Sequence, residues 1–559
     1  MDHLSGLDAT FLYLETPEQP MHVGGLNIFE LPAGYAGDFL EDLRAHIMAR
    51  MHLAPVFRRK LVNMPFELAN PIWVADEDLD MEYHIRSTVL PRPGSREQLD
   101  KLVGRLHSSL LDRSRPLWEF YVIEGLQSPK DAPAGTRHVA FYSKVHHAAV
   151  DGAAGVALAA GIMDISAIPR AVRPAPNSAQ YRRAIATDNF GIAELAISGL
   201  KNTAVQSIKL AKNLPGLARA AYSLLRPPKS DEPMLGVAGL EMIDSTEKSG
   251  WFAPKTPINV SITNQRAYSS FSIPLATIKL IAKGNGVTLN DVVLGVCSGA
   301  LRRYLADLRC EPSQSLLAAV PVSLREAGNT DMNNQASMMR ISLATTIKDP
   351  HARLMAINAA SKATKAASAN MNAVMPTDFP SLGVPWILSG LAALYGRSKL
   401  ANNMAPLANV AISNVQGHNM VLYLAGAKML TYYPVSIVTH SLALNVTVQS
   451  YNGSMDFGLI ACRKAMPDLP ELAKYMQKTV EEMLAFTPAV TAPAATAAPA
   501  TRAAPAPVKA VKPAVKKTIA KKVLPKKVVL KKLIAKKTTA KKSPTKKAPA
   551  KKALSKKAS

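Results

Sequence analysis

Val145-His146-His147-Ala148-Ala149-Val150-Asp151-Gly152 joins an apolar strand-like run, HVAFYSKV (138–145), to a small-residue helical run, AAGVALAAGIMDI, that reaches about Ile165. A strand that hands over to a helix at a polar turn is the repeating unit of α/β folds, and side chains at such turns open onto clefts. Imidazole titrates near 6.5, so a histidine placed there can take up a proton near neutral pH as a general base. Asp151, four residues after His147, lies on the same side of one helical turn and can orient the loop, while Gly152 permits a tight backbone. A purely local reading makes the two histidines a polar rim and Asp151 an N-cap for the following helix. Local chemistry leaves both readings open.

Strand-like and helical runs alternate on both sides of this stretch. Before it come HVGGLNIFEL (22–31), DFLEDLRAHIMARM (38–51), WVADEDLDMEYHIRSTVL (73–90), REQLDKLVGRLHSSLL (96–111) and LWEFYVIEGL (117–126). In the fourth, Leu99, Leu102, Val103, Leu106 and Leu110 recur at helical spacing. After it, Pro174 and Pro176 break the periodicity, and residues 192–226 read as a basic helical segment ended by RPPKSDEP. A second series starts near Trp251 with AYSSFSIP (267–274), LNDVVLGVCSGALRRYLADL (289–308), LLAAVPVSL (316–324), MVLYLAGAKMLTYYPVSIV (420–438) and SLALNVTVQSYNGSMDFGLIA (441–461). The pattern predicts two α/β halves, 1–170 and 251–486, joined by a helical crossover over 171–250.

The charge of +26 belongs mostly to one end of the chain. Residues 487–559 hold 20 Lys and one Arg with no acidic or aromatic residue, and Lys-Lys pairs recur every fifth residue from Lys516. Residues 1–486 are nearly balanced, with 46 basic and 41 acidic side chains. The body is long and apolar enough for large cores, which excludes a disordered, collagenous or disulfide-stapled protein. The tail reads as disordered and as a polycation for dense polyanions, anionic membrane or nucleic acid alike, without aromatics for base recognition. Cys297, Cys310 and Cys462 have no metal or disulfide spacing and read as buried reduced thiols. No basic, apolar leader opens the chain, which predicts a cytoplasmic location. Leu382–Tyr395, with Pro385 inside it, is too short to span a bilayer, which needs about 20 residues, and reads as a buried or surface-inserting helix.

HHAAVDG matches the HHxxxDG motif of the CoA-dependent acyltransferase superfamily, which includes chloramphenicol acetyltransferase and peptide-synthetase condensation domains. LSGLDATFLYLETPEQPMHVGGL (4–26), LLDRSRPLWEFYVIEGL (110–126), VTLNDVVLGVCSGALRRYL (287–305), VPVSLR (320–325) and SNVQGHNMVLYLAGAKM (413–429) resemble, in order, blocks of one branch. That branch is the bacterial wax ester synthase/acyl-CoA:diacylglycerol acyltransferase family, and the resemblance covers roughly residues 1–480. It implies a pseudo-dimer of two chloramphenicol-acetyltransferase-like domains with a tunnel between them and the histidine at its centre. It further implies acyl transfer from acyl-CoA to diacylglycerol or a long-chain alcohol, with acyl-CoA as a substrate and no cofactor or metal.

Carried over by the motif, His147 resembles the general base, His146 a supporting residue, and Asp151 a structural aspartate paired with an arginine, for which Arg115 and Arg325 are candidates. Pro116-Leu117-Trp118 resembles the family's PLW block, which shapes the acyl pocket; a strand entering the core is the plainer reading. Asn290-Asp291 resembles the ND motif near the cleft, or is a capping pair. The chain reads SNVQGH where the family has SNVPGP, so Gln416 and His418 replace prolines and the loop is expected to be more mobile. Competing functions are a condensation-type enzyme using carrier-protein thioesters, and a non-catalytic lipid-surface or nucleic-acid-binding protein in which the tail acts. An insoluble product predicts work at a membrane or lipid-droplet surface.

Overall fold

A computed structural model describes residues 2–64, 70–128, 133, 135–150, 161–173, 252–323, 336–371, 394, 396 and 398–488. The expected crossover helices, most of Leu382–Tyr395, Asp151, Arg325 and the tail from residue 489 lie outside the described residues. The first half runs β1 (Asp2–His3), α1 (Gly6–Leu14), β2 (His22–Glu30), α2 (Phe39–Arg50), β3 (Arg59–Val62), β4 (Ile72–Ala75), α3 (Met81–His84), β5 (Ile85–Val89), α4 (Arg96–His107), β6 (Trp118–Glu124) and β7 (His138–His146). The second half runs β8 (Arg266–Pro274), α5 (Leu275–Gly284), α6 (Leu289–Asp307), β9 (Leu317–Ser323), β10 (Ala336–Ser342) and α7 (Pro350–Met371). It continues through β11 (Val410–Val415), β12 (Tyr423–Leu424), β13 (Ala427–Val435), β14 (Leu444–Tyr451), β15 (Ser454–Cys462) and α8 (Leu469–Phe486).

The strands form two six-stranded sheets, ordered β12-β13-β2-β7-β6-β5 and β10-β9-β11-β14-β15-β8, and a small sheet β1-β4-β3. The hairpin β12–β13 corrects the sequence reading, which left 420–438 in the second half. Its longer strand pairs antiparallel with β2, from Lys428 opposite Glu30 to Val435 opposite Gly24. The pairing covers the outer edge of β2, whose N–H and C=O groups have no other strand to bond.

Alternation along the central strands of the first sheet builds two cores. Trp118, Phe120, Val122, Phe141 and Val145 face one, with α2. Tyr121, Ile123, Ala140 and Tyr142 face the other, which holds Leu99, Leu102 and Val103 of α4 together with Tyr268, Ile460 and Cys462 of the second half. That second core is therefore the seam between the halves. Leu106 packs at its margin, but Leu110 is exposed because α4 stops at His107. At the seam β15 passes so close to β13 that a Cβ on Gly458 would lie 1.8 Å from the Pro434 carbonyl oxygen.

Helix starts follow their caps. Ser95 and Gln98 close a capping box on α4, as Thr288 and Asp291 do on α6. Of the three cysteines, Cys297 and Cys462 are buried, whereas Cys310 is exposed. It follows Arg309, which at φ 54° turns the chain out of α6 toward solvent. Among the described residues, no helix is long and apolar enough to cross a membrane.

Candidate active site

The last residue of β7, His146, sits opposite His22 of β2, and the chain then turns sharply. Two backbone bonds hold that turn from outside: His146 N–H donates to the Leu117 carbonyl at 2.9 Å and His147 N–H to the Met21 carbonyl at 2.8 Å. A third, from Ala149 N–H to the His146 carbonyl at 2.9 Å, closes it. The Ala148 N–H points at His146 Nδ1 at 3.1 Å, so that nitrogen is the acceptor. His146 Nε2 therefore carries the proton and donates it to Glu15 Oε2, also at 3.1 Å. Both ring nitrogens of this wholly buried histidine are committed.

The His147 ring is half-buried and stacks on Phe11 of α1, with centroids 4.1 Å apart and planes within 11°. Phe11 and Glu15 are four residues apart, so one helical turn delivers the stacking ring and the carboxylate to the same place. Burial alone would push the Glu15 carboxyl up, but the hydrogen bond from His146, the positive charge of Arg113 and the Met21 N–H hold it at about 2. Arg113 Nη2 lies 2.8 Å from Glu15 Oε1, and the Met21 N–H donates to Oε2 at 3.1 Å.

Behind the histidine pair lies a second layer of buried polar groups. His22 Nε2 contacts the His107 carbonyl at 2.8 Å, and His107 itself meets Tyr142 Oη at 2.7 Å and the Ser436 carbonyl at 2.9 Å. Burial, then the Arg266 and Lys144 charges, push His107 down to about 3, and burial holds His22 well below its ordinary range. Both are neutral hydrogen-bonding struts at physiological pH. Lys144, two residues before His146 on the same face of β7, is fully buried and pairs with Glu119 at 2.9 Å. It also donates to the Ser109 carbonyl at 3.2 Å, just past the end of α4.

The remaining sequence candidates separate. Pro116 and Leu117 are buried, and Leu117 packs with Leu12 and Ala148 against α1 and the histidine turn. Trp118 points into the opposite core, where Nε1 donates to the Phe57 carbonyl at 3.1 Å and the ring stacks on His84. Asp291 caps its own helix through Thr288 and accepts from Asn358 Nδ2 at 2.7 Å, which together with those caps outweighs burial and lowers its carboxyl. Asn290 is half-buried beside it. Ser413-Asn414-Val415 ends β11, with Asn414 paired to Val448, so it is strand throughout. The following QGH is tied back by Gly417 N–H to Ser450 Oγ at 3.2 Å and by Asn452 N–H to the His418 carbonyl at 3.0 Å.

Arg115, one candidate partner of Asp151, bridges Asp80 at 3.4 Å and Asp112 at 3.6 Å and lies over the Tyr83 ring; Asp151 itself lies outside the described residues. The arginine at the histidine turn is Arg113, two residues earlier. Sequence reading named neither it nor Glu15 nor Phe11. A signal existed: Glu15 stands at the C-terminal end of α1, where the helix dipole disfavours an anion unless other cations or donors hold it. A groove of about 1210 Å³ runs along the seam between α4, β8 and α8, lined by Arg96, Arg105, Arg266 and Arg463 among others. Neither His146 nor His147 is among its lining residues.

An α/β chain of two sheets, with a histidine pair at the end of a central strand and one histidine locked by a buried carboxylate, has the layout of an acyl-transfer protein. The model of the wax ester synthase/diacylglycerol acyltransferase catalytic domain matches residues 4–293, and that of the WS/DGAT C-terminal domain matches residues 332–484. The chain belongs to the wax ester synthase/diacylglycerol acyltransferase family. It is 36% identical over 480 residues to a putative diacylglycerol O-acyltransferase of Mycobacterium tuberculosis, covering 86% of this chain and 99% of that one. The O-acyltransferase WSD of Acinetobacter baylyi is 32% identical over 489 residues, covering 86% and 96%. Among solved structures, the wax ester synthase/diacylglycerol acyltransferase of Marinobacter aquaeolei VT8 superposes with a TM-score of 0.60 at 30% identity, covering 86% of this chain and 98% of that one.

Proposed function

We propose that this protein transfers a long-chain acyl group from acyl-CoA to diacylglycerol or a long-chain alcohol, releasing CoA and a neutral lipid. Family membership along both halves supports the reaction class, and the names of the relatives support the acceptors. The observation that carries the site assignment is the division of labour in the histidine pair. His146 has both ring nitrogens committed to Ala148 and Glu15, whereas His147 presents a half-buried ring held flat by Phe11.

In this mechanism His147 removes the acceptor hydroxyl proton as the oxygen attacks the thioester carbonyl. The new C–O bond forms, the C–S bond breaks, and His147 passes the proton to the departing CoA thiolate, so no acyl-enzyme forms. Acyl-CoA is consumed as a substrate, and the chemistry draws on no cofactor. Leu117, packed against the histidine turn, lines the acyl side with Pro116, while Trp118 fixes the strand from below. Asp151 holds the loop after the histidines, and Asn290-Asp291 borders the cleft through residues of the second half.

Replacing His147 with Ala tests this. With radiolabelled palmitoyl-CoA and either dioleoylglycerol or hexadecanol, turnover is expected to fall about 10²- to 10⁴-fold. Equal product from wild type and His147→Ala would overturn the assignment. The neutral lipid product is insoluble, so the enzyme works at an anionic membrane or lipid-droplet surface on the cytoplasmic side, with the Lys-rich tail as its tether and any binding to nucleic acid non-specific. Flotation with anionic liposomes that weakens with salt, and is lost when residues 487–559 are removed, is the expected result. Unchanged flotation of the truncated chain would remove the tail from this role.

A further inference from the structure

We infer that Glu15 is a positioning residue for the acyl-transfer site, one that fixes both histidines at once and is itself held by Arg113. The inference rests on the reading of His147 as the base and adds what keeps it in place. Four hydrogen-bond donors converge on this one carboxylate. Oε1 receives Arg113 Nε at 3.1 Å and Nη2 at 2.8 Å, and Oε2 receives the Met21 N–H and the His146 Nε2 proton, each at 3.1 Å. The side chain is almost wholly buried, with 2% of it exposed. Only an ionised carboxylate offers acceptors alone on both oxygens.

Two chains of contact run from Glu15 to the catalytic turn. One passes through the His146 ring, whose Nδ1 accepts from the Ala148 N–H, so the bond to Glu15 dictates the tautomer that lets His146 hold the turn. The other passes through Met21, whose N–H goes to Glu15 and whose carbonyl receives the His147 N–H at 2.8 Å. A glutamine here cannot accept from all four donors. With its NH₂ at the Oε2 position it faces two donors, and with its NH₂ at the Oε1 position it faces Arg113. The first rotamer sets a donor against donors and breaks both chains of contact; the second keeps them only through a neutral amide oxygen, a weaker acceptor than the carboxylate, and sets a donor against Arg113. Locking His146 with its proton on Nε2 also removes it as a competing base, so proton transfer is confined to His147.

The test compares Glu15→Gln, Glu15→Asp, Arg113→Gln, the double variant Glu15→Gln/Arg113→Gln and His147→Ala, all in the full chain, with palmitoyl-CoA and hexadecanol. Glu15→Gln is expected to lower kcat about 30- to 100-fold while KM for palmitoyl-CoA stays within about threefold, because alignment at the base is lost and substrate contacts are kept. Glu15→Asp, which keeps the charge, recovers part of kcat. Arg113 is 44% exposed. Arg113→Gln therefore folds, loses about 5- to 10-fold in kcat, and adds nothing further in the double variant if it acts through Glu15. Circular dichroism and thermal melts confirm folding, and if Glu15→Gln fails to fold, Arg113→Gln and Glu15→Asp carry the test. Wild-type kcat in Glu15→Gln, or in Arg113→Gln and Glu15→Asp together, beside an inactive His147→Ala, overturns this inference and leaves the base assignment standing. A fully active His147→Ala overturns the base assignment and this inference with it.

Discussion

Two buried carboxylates, Glu15 and Asp291, show how differently one chain can employ the same chemical group. Asp291 accepts from Thr288, three residues away, and from Asn358 on the neighbouring helix α7. Its cap comes with the helix it starts, and one further donor reaches it from the helix packed alongside. Glu15 ends α1 and draws Arg113 from the segment before β6, His146 from the end of β7 and Met21 from the start of β2. Its partners are up to 131 residues distant in sequence. The lesson is that a carboxylate satisfied mainly by its own helix cap anchors an element, whereas one satisfied mainly by distant donors reports where the chain has been assembled for chemistry.

Lys144 belongs with Glu15 on the long-range side of this comparison, and it should give the largest stability effect. Removing its charge in Lys144→Met strands Glu119 in the core with only Arg86, Tyr121 and Tyr83 as partners. Breaking a buried pair in this way is expected to cost about 3–5 kcal/mol, read from urea unfolding. A loss below about 1 kcal/mol would place Lys144 with the locally satisfied groups.

Glu15 comes next, and its signature is a pH dependence. Its folded value of about 2 lies below the 4.5 of the unfolded side chain. The unfolded chain binds the proton more tightly, so the stabilisation is complete above about pH 4.5 and is lost as pH falls toward 2. The full difference corresponds to about 3 kcal/mol. Unfolding free energies of wild type and Glu15→Gln should therefore converge between pH 5 and pH 2. Parallel curves over that range would mean that Glu15 carries no such linkage.

Asp291→Ala should give the smallest of the three effects, about 2 kcal/mol, from the lost cap and an unpaired Asn358 amide. Urea unfolding monitored by circular dichroism measures it. A cost equal to that of Lys144→Met would erase the distinction between local and long-range partners.

Much of the fold was legible in the sequence because its signals are local. The period-2 runs became β2, β6, β7, β8, β9, β14 and β15, and LNDVVLGVCSGALRRYLADL became α6, because alternation and capping are properties of neighbouring residues. The SNV triplet is the end of β11, and its pairing with β14 depends on a strand some thirty residues further on, which no local signal reports. The hairpin at 423–435 was recognised as strand, but its pairing with β2 was not legible for the same reason. Arg113 was not singled out in the sequence, because its partner Glu15 lies 98 residues away and spacing cannot aim a side chain.

By itself the sequence determined the class of layer, the boundary near residue 487 where α8 ends and the charge begins, and the histidine pair at a strand end. Only the tertiary structure decided which sheet receives β13, that Trp118 faces away from the histidine turn while Leu117 faces it, and that Glu15, Arg113 and Phe11 surround the pair. The physical reason is range. Periodicity and capping act within one turn or one strand, whereas the partners of a buried charge are chosen by which distant segments fold against it, and no spacing along the chain encodes that choice.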